Sequence, residues 1–141
     1  MILTTSTSIF YPAFAMFLLT MLCLLSLGMS RLGAIKLGKV KISFYQAYNK
    51  GTEPEHLHLL SRHVHNHFEV PPLFYAGVLI AYVTNSATDT AVAFAWAFVI
   101  TRLIHSAIHL TINNVTYRVL AFGAGLISVT GLWVTVFLNV I

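Results

Sequence analysis

Apolar and polar positions alternate along this chain on the scale of whole helices. The first apolar run, about Ile9 to Met29, supplies ~30 Å of helix, the thickness of a bilayer core, and Pro12 fits its first turn. From Leu32 to Gly51 the continuity is lost at Gly33, Gly38, Asn49 and Gly51, which predicts a loop with one short amphipathic turn around Ile42 to Tyr45. Thr52-Glu53-Pro54-Glu55 then reads as a helix start, with Thr52 as cap and Glu55 as its capping-box partner. A helix from there to about Thr84 would measure ~48 Å, so its first turns project into water. Pro71 and Pro72 should kink it. Asn85 to Thr90 is a short turn. The third run follows at about 91–112 and the fourth at about 116–140. Ala91, Ala93, Ala95 and Ala97 in one, and Ala121, Gly123, Gly125, Ser128 and Gly131 in the other, permit close helix approach. The expectation is a single all-α membrane domain with spans at about 9–29, 54–84, 91–112 and 116–140 and a cytoplasmic loop at about 31–52.

Composition agrees with that class: 57% of residues are hydrophobic and 9% charged, with a mean hydropathy of +0.80. Soluble domains carry roughly 25% charged residues. The net charge of +4 is unevenly placed, because Arg31, Lys36, Lys39, Lys41 and Lys50 all lie between the first two apolar runs. Basic residues collect in cytoplasmic loops, so this connection is assigned inside and both termini outside. The basic cluster lacks any recognition motif for nucleic acid. No basic residue precedes the first apolar run, and that run is longer than a signal core, so it is expected to persist as a span. Cys23, the single cysteine, excludes an intrachain disulfide and a framework of thiolates. Inside an apolar helix it reads as packing.

Candidate chemistry gathers at Ser61 to Phe74. Arg62, Asn66 and Glu69 fall within ~60° of one another on a helix and form one polar stripe entering the membrane. Each ionisable group at that depth costs roughly 3 kcal/mol, so its retention points to use. Arg102, His105, His109 and Asn113 recur at spacings of three, four and four on one face, and Arg118 opens the last helix. Three guanidiniums, Arg62, Arg102 and Arg118, converge from three helices with Glu69 as the single carboxylate partner. Such a site suits a small anion or an activated thiol. The plain alternative is a structural Arg62–Glu69 ion pair. A second alternative is a metal: His63 and His67 stand four apart, as do His105 and His109, a spacing suited to zinc or di-iron ligation. Arg102 on the face of His105 and His109 opposes a cation, so no metal is expected. His56 and His58 read as a solvated helix end.

The spacing Arg62, Asn66, Glu69, Pro72, Phe74 resembles the Arg-x-x-x-Asn-x-x-Glu-x-x-Pro-x-Phe motif of the MAPEG family, membrane-associated proteins in eicosanoid and glutathione metabolism. Arg102, His105 and Arg118 fall where its prostaglandin synthase type has Arg, His and a helix-four Arg. The resemblance implies a homotrimer of four-helix bundles, with glutathione held between protomers near the cytoplasmic face and a lipophilic substrate arriving from the lipid. It implies that Arg62 pairs with Glu69, that Asn66 and Glu69 hold glutathione, and that His105 lines the pocket. Arg31 would reach the peptide and Arg118 would stabilise the thiolate, aided by the helix N-terminus. The chain departs from the family pattern at His65, Val70, His109 and Phe122, where arginine, an aromatic residue, tyrosine and tyrosine are usual. It looks like a bacterial branch, which implies the bacterial inner membrane.

The resulting expectation is a glutathione-dependent transferase or peroxidase acting on a lipophilic electrophile. Arg118 would be the catalytic residue, and Arg31, Arg62, His65, Asn66, Glu69, Arg102, His105 and His109 would bind glutathione. The alternatives are a non-catalytic membrane subunit and a histidine-ligated metalloenzyme.

Overall fold

The computed structural model describes residues 7–48 and 51–141, so the expected breaker Asn49 and the loop cation Lys50 lie outside the described residues. A 3-10 turn at Thr7–Ile9 leads into α1 (Phe10–Lys36), followed by α2 (Phe44–Ala47), α3 (Glu55–Asn66), α4 (Pro71–Val83), α5 (Asp89–Leu110) and α6 (Val115–Val140). All regular structure among the described residues is helical. Three helices are long and apolar enough to cross a membrane, by length and composition: Thr7–Lys36, Asp89–Leu110 and Val115–Val140.

The expected long second helix is broken. Pro71 and Pro72 have no N–H to give to the carbonyls four residues back, so a continuous helix there would strand acceptors at His67 and Phe68. Instead α3 stops at Asn66, and its end is closed by short-range bonds from His67 N–H to the Val64 oxygen and from Phe68 N–H to the His65 oxygen, both 2.9 Å. The prolines open α4 at its first two positions, where a missing N–H costs nothing. With 13 residues, α4 is only ~20 Å long.

Capping also differs from expectation. Pro54, not Thr52, precedes α3, and no side chain caps it. Glu53 is engaged elsewhere, as described below. The caps of α5 and α6 are regular: Thr88 Oγ1 accepts from Ala91 N–H at 3.3 Å and Asn114 Oδ1 from Tyr117 N–H at 3.2 Å. α1 runs past its expected end into the connection, as far as Lys36.

Helices α5 and α6 pack closely along their length, α1 lies against α3, α4 and α5, and α4 rests on α6. The apolar core at the end away from the basic loop joins Met16, Phe74, Val78, Ala91, Ala95, Phe98, Val129 and Leu132. Phe74 stacks on Phe98 with ring centroids 4.7 Å apart. Small residues set the approach at particular points: Ala91 and Ala95 are fully buried, and Gly131 faces the ring of Phe94. Gly123 has open space around it and Ala93 is exposed. The outer faces of α1 and α6 are apolar and uncovered, for example at Phe14, Leu18, Leu22, Ile127 and Leu138. Buried in their place, at the basic end, are His63, His67, Arg102, His105 and His109. An apolar exterior around buried ionisable groups is the arrangement that lipid as solvent selects.

Candidate functional site

The sequence-predicted residues fall into three groups. Arg31, at the inner end of α1, is tied down on all sides. Its Nε donates to Glu53 Oε1 at 3.1 Å, and a terminal nitrogen donates to Ser61 Oγ at 3.1 Å. Its guanidinium lies 5.0 Å from the ring centre of Tyr45, whose hydroxyl donates to the same Glu53 oxygen at 2.9 Å. Val40, Phe44 and Leu57 pack beneath this cluster against Ala34, so residues 37–48 and 51–54 fold back as a small cap on α1 and α3. Burial, reinforced by the bond to Glu53, holds the Tyr45 phenol above its ordinary pKa of 10.0 and keeps it a donor. Beside the cap opens a cavity of about 830 Å³ lined by Leu27, Arg31, Tyr48, Ser61 and His65 among others.

The second group borders a smaller cleft of about 190 Å³, formed by Asn66, His105, Val115, Arg118, Val119 and Phe122. Arg118 stands in the first turn of α6, and its NH1 donates to Asn113 Oδ1 at 2.9 Å. Asn113 holds a left-handed backbone, φ 49°, in the tight turn that brings α6 back along α5. His105 Nδ1 donates to the Arg118 carbonyl oxygen at 3.2 Å, leaving Nε2 buried without a partner. His65 and Asn66 are consecutive on α3 and therefore ~100° apart, which is why they open onto different cavities.

Arg102 and His109 form the third group, wholly inside. The Arg102 guanidinium is sandwiched between the rings of Phe98 and Phe122, 5.0 and 4.9 Å from their centres, and none of its nitrogens has a hydrogen-bond partner. Gly125 makes room for it: a Cβ there would sit 3.2 Å from an Arg102 nitrogen. Both ring nitrogens of His109 are buried and unpartnered. Cation–π contacts recover part of the desolvation cost of Arg102, but the guanidinium still has its donors to give.

Two expectations need correction. Arg62 and Glu69 are both exposed and do not pair; among the described residues the ion pair is Arg31–Glu53. The reason is the helix break, which carries Glu69 into the turn after α3 and off the face that holds Arg62 and Asn66. Glu69 is instead near enough to Arg102 for attraction, and Arg62 near enough to Arg118 for repulsion. Positive charge from α3, α5 and α6 thus gathers at one end of the bundle. His56 and His58 are exposed, as expected.

The surroundings of Cys23 were not foreseen. Its sulfur lies 3.7 Å from His67 Nε2, which is 3.4 Å from His63 Nε2. The spacing of His63 and His67 was legible, but nothing in the sequence places α1 against them.

A membrane protein with arginine and histidine side chains from three helices gathered at one end of its bundle is the class that fold and site define. The MAPEG family model matches residues 9–138, and the chain belongs to the MAPEG family. No curated protein and no solved structure matches the chain. Its long apolar helices and its family make it an integral membrane protein.

Proposed function

We propose that the protein is a glutathione-dependent transferase of the MAPEG type acting on a lipophilic electrophile, and that it works as a homotrimer of four-span protomers, α3 and α4 together making the second span. The observation that carries the proposal is Arg118, on the first turn of α6, in a cleft shared with His105 and Asn66. A guanidinium and a helix N-terminus both favour an anion, and a thiolate bound there is held ionised near neutral pH. The thiolate then attacks the electrophilic carbon, forming a C–S bond as the leaving group or the π electrons depart. With a lipid hydroperoxide the same thiolate attacks the terminal peroxide oxygen, the O–O bond breaks and the lipid leaves as the alcohol after taking a proton; a second glutathione then reduces the resulting sulfenic acid to the disulfide, releasing water.

In one protomer the glutathione ligands open onto two cavities, Arg31 and His65 on one and Asn66, His105 and Arg118 on the other. A site between protomers joins the first cavity of one copy to the second cavity of its neighbour, so neither is complete alone. Arg102 lies behind the second cavity against Phe122, and Arg62 and Glu69 are exposed, free to meet the peptide's carboxylates and amine. The basic loop supports a cytoplasmic setting for the site, in this reading at the inner face of a bacterial inner membrane with both termini opposite.

Calorimetry with glutathione on detergent-purified protein tests the proposal. Saturable binding is expected in the wild type, weakened roughly tenfold or more in Arg118→Ala by loss of a charge-assisted contact. If millimolar glutathione gives no heat in either, the enzyme is ruled out and a non-catalytic membrane subunit is what the fold supports.

A further inference from the structure

Cys23, His63 and His67 have no role in the glutathione site. They come from α1, from α3 and from the turn after it, and are 6%, 0% and 5% exposed. Thr20 gives its hydroxyl proton to the Met16 carbonyl oxygen at 3.0 Å, so at 3.1 Å its oxygen accepts from His67 Nδ1–H. That bond assigns the tautomer and leaves His67 Nε2 as a bare lone pair. Facing that lone pair are His63 Nε2 at 3.4 Å and Cys23 Sγ at 3.7 Å, and the three ligand atoms lie within 4.8 Å of one another. One lone pair takes one proton, so the second group is left without a use for its own.

The spacing has a direct chemical reading. With Zn–N of ~2.05 Å and Zn–S of ~2.3 Å, the edges of a tetrahedral site are ~3.35 Å between nitrogens and ~3.55 Å between nitrogen and sulfur. The edges from His67 Nε2 to His63 Nε2 and to Cys23 Sγ match these to within about 0.2 Å, and the third, between Cys23 Sγ and His63 Nε2, is the long one, within 4.8 Å, so an ion would draw those two together. The acceptor behind His67 Nδ1 is the outer-shell partner that metal-bound imidazoles usually have. His109, with neither nitrogen partnered and its ring centroid 5.1 Å from that of His63, stands ready as a further imidazole beside the trio.

We propose that Cys23, His63 and His67 form a binding site for a d10 transition ion, Zn2+ or Cu+, one per protomer. Binding displaces the thiol proton to solvent, and the thiolate supplies the negative charge. That charge answers the objection raised by Arg102, which lies within electrostatic reach of His67 and His105. Imidazoles alone would add an uncompensated cation there. With a thiolate the ligand set and Cu+ are together neutral, and with Zn2+ they carry a single positive charge. Thiolate and imidazole donors are the set that favours these two ions.

The test uses whole protein, reduced and free of glutathione, so its failure leaves the proposed function standing and its success does not depend on it. Protein from zinc-supplemented and copper-supplemented cultures is desalted and its metal content measured. One ion per protomer is expected, and the culture that fills the site names the ion. Cobalt substitution should give thiolate-to-metal charge-transfer absorption that Cys23→Ser abolishes. Thr20→Val keeps all three ligands but removes the acceptor behind His67, and should weaken affinity about 10- to 100-fold, which a packing role would not do. Gel filtration and far-UV circular dichroism confirm that each variant is folded. Metal far below one per protomer in both cultures, and after incubation with either ion alone, overturns the site. So does a Cys23→Ser variant that retains full metal and an unchanged cobalt spectrum.

Discussion

Arg102 is the residue whose energetics are most out of balance. It is 2% exposed, its nitrogens donate to nothing, and its stacking on Phe98 and Phe122 offsets only part of what water would have supplied. Replacing a buried charge by an apolar side chain of similar volume is often stabilising, by about 1–4 kcal/mol. Arg102→Met is therefore expected to raise the thermal unfolding temperature of the ligand-free protein while weakening glutathione binding. Differential scanning fluorimetry and calorimetry on one sample read both signs, and a variant that loses stability would mean that the arginine serves the fold. Gly125 belongs to the same balance. Gly125→Leu would drive side-chain volume into Thr101 and Arg102 across the tightest helix pair, and overpacking of that kind costs roughly 1–3 kcal/mol, visible as a lower unfolding temperature. The presence of arginines and histidines at membrane depth was readable from spacing alone. Their hydrogen-bond partners were not, since Asn113, Thr20 and the carbonyl oxygen of Arg118 meet them only through chain reversals and helix contacts.

Helices α3 and α4 show where local rules succeed and where they stop. Two adjacent prolines marked the right neighbourhood for a disturbance, yet the outcome is a break with a four-residue turn between the helices, because two consecutive missing donors cannot be absorbed by bending. That break decides the fate of Glu69 and cancels its pairing with Arg62. The cap formed by residues 37–48 and 51–54 was legible only as a loop with a short turn near Phe44. What orders it is the meeting of Arg31, Tyr45 and Glu53, whose carboxylate side chain is 6% exposed. Glu53→Ala leaves Arg31 with Ser61 as its remaining hydrogen-bond partner. Losing a partner of a buried charged group costs about 1–3 kcal/mol. Faster proteolysis within residues 37–54, with the helical signal of the spans unchanged, is the expected result. Tyr45 adds a pH dependence of defined sign. Its folded pKa is raised, so the cap keeps its full contribution below the unfolded value near 10 and loses it as pH climbs through the folded one. Limited proteolysis across that interval follows the loss.

At the scale of the whole molecule, the apolar outside, the polar inside and the division of the proposed glutathione ligands between two cavities all point outward, to lipid and to further copies of the chain. Co-expression of a tagged chain carrying Thr52→Cys with an untagged chain carrying Val119→Cys, both on a Cys23→Ser background, checks this. Those positions line the two cavities, and oxidation should join tagged to untagged chains if the cavities meet across an interface. Monomers alone after oxidation would remove the shared site.

Membership of a membrane class, the helical runs and the MAPEG pattern were determined by the sequence by itself, because hydrophobic length, helix-breaking residues and motif spacing act locally and survive in one dimension. Which polar groups meet was decided only by tertiary structure. The break before Pro71 re-aims Glu69, the Asn113 turn sets Arg118 beside His105, and the packing of α1 on α3 brings Cys23 to two histidines forty or more residues away. The physical reason is that a side chain buried in a low-dielectric interior takes its energy from whatever lies within a few ångströms, and those neighbours come from other helices.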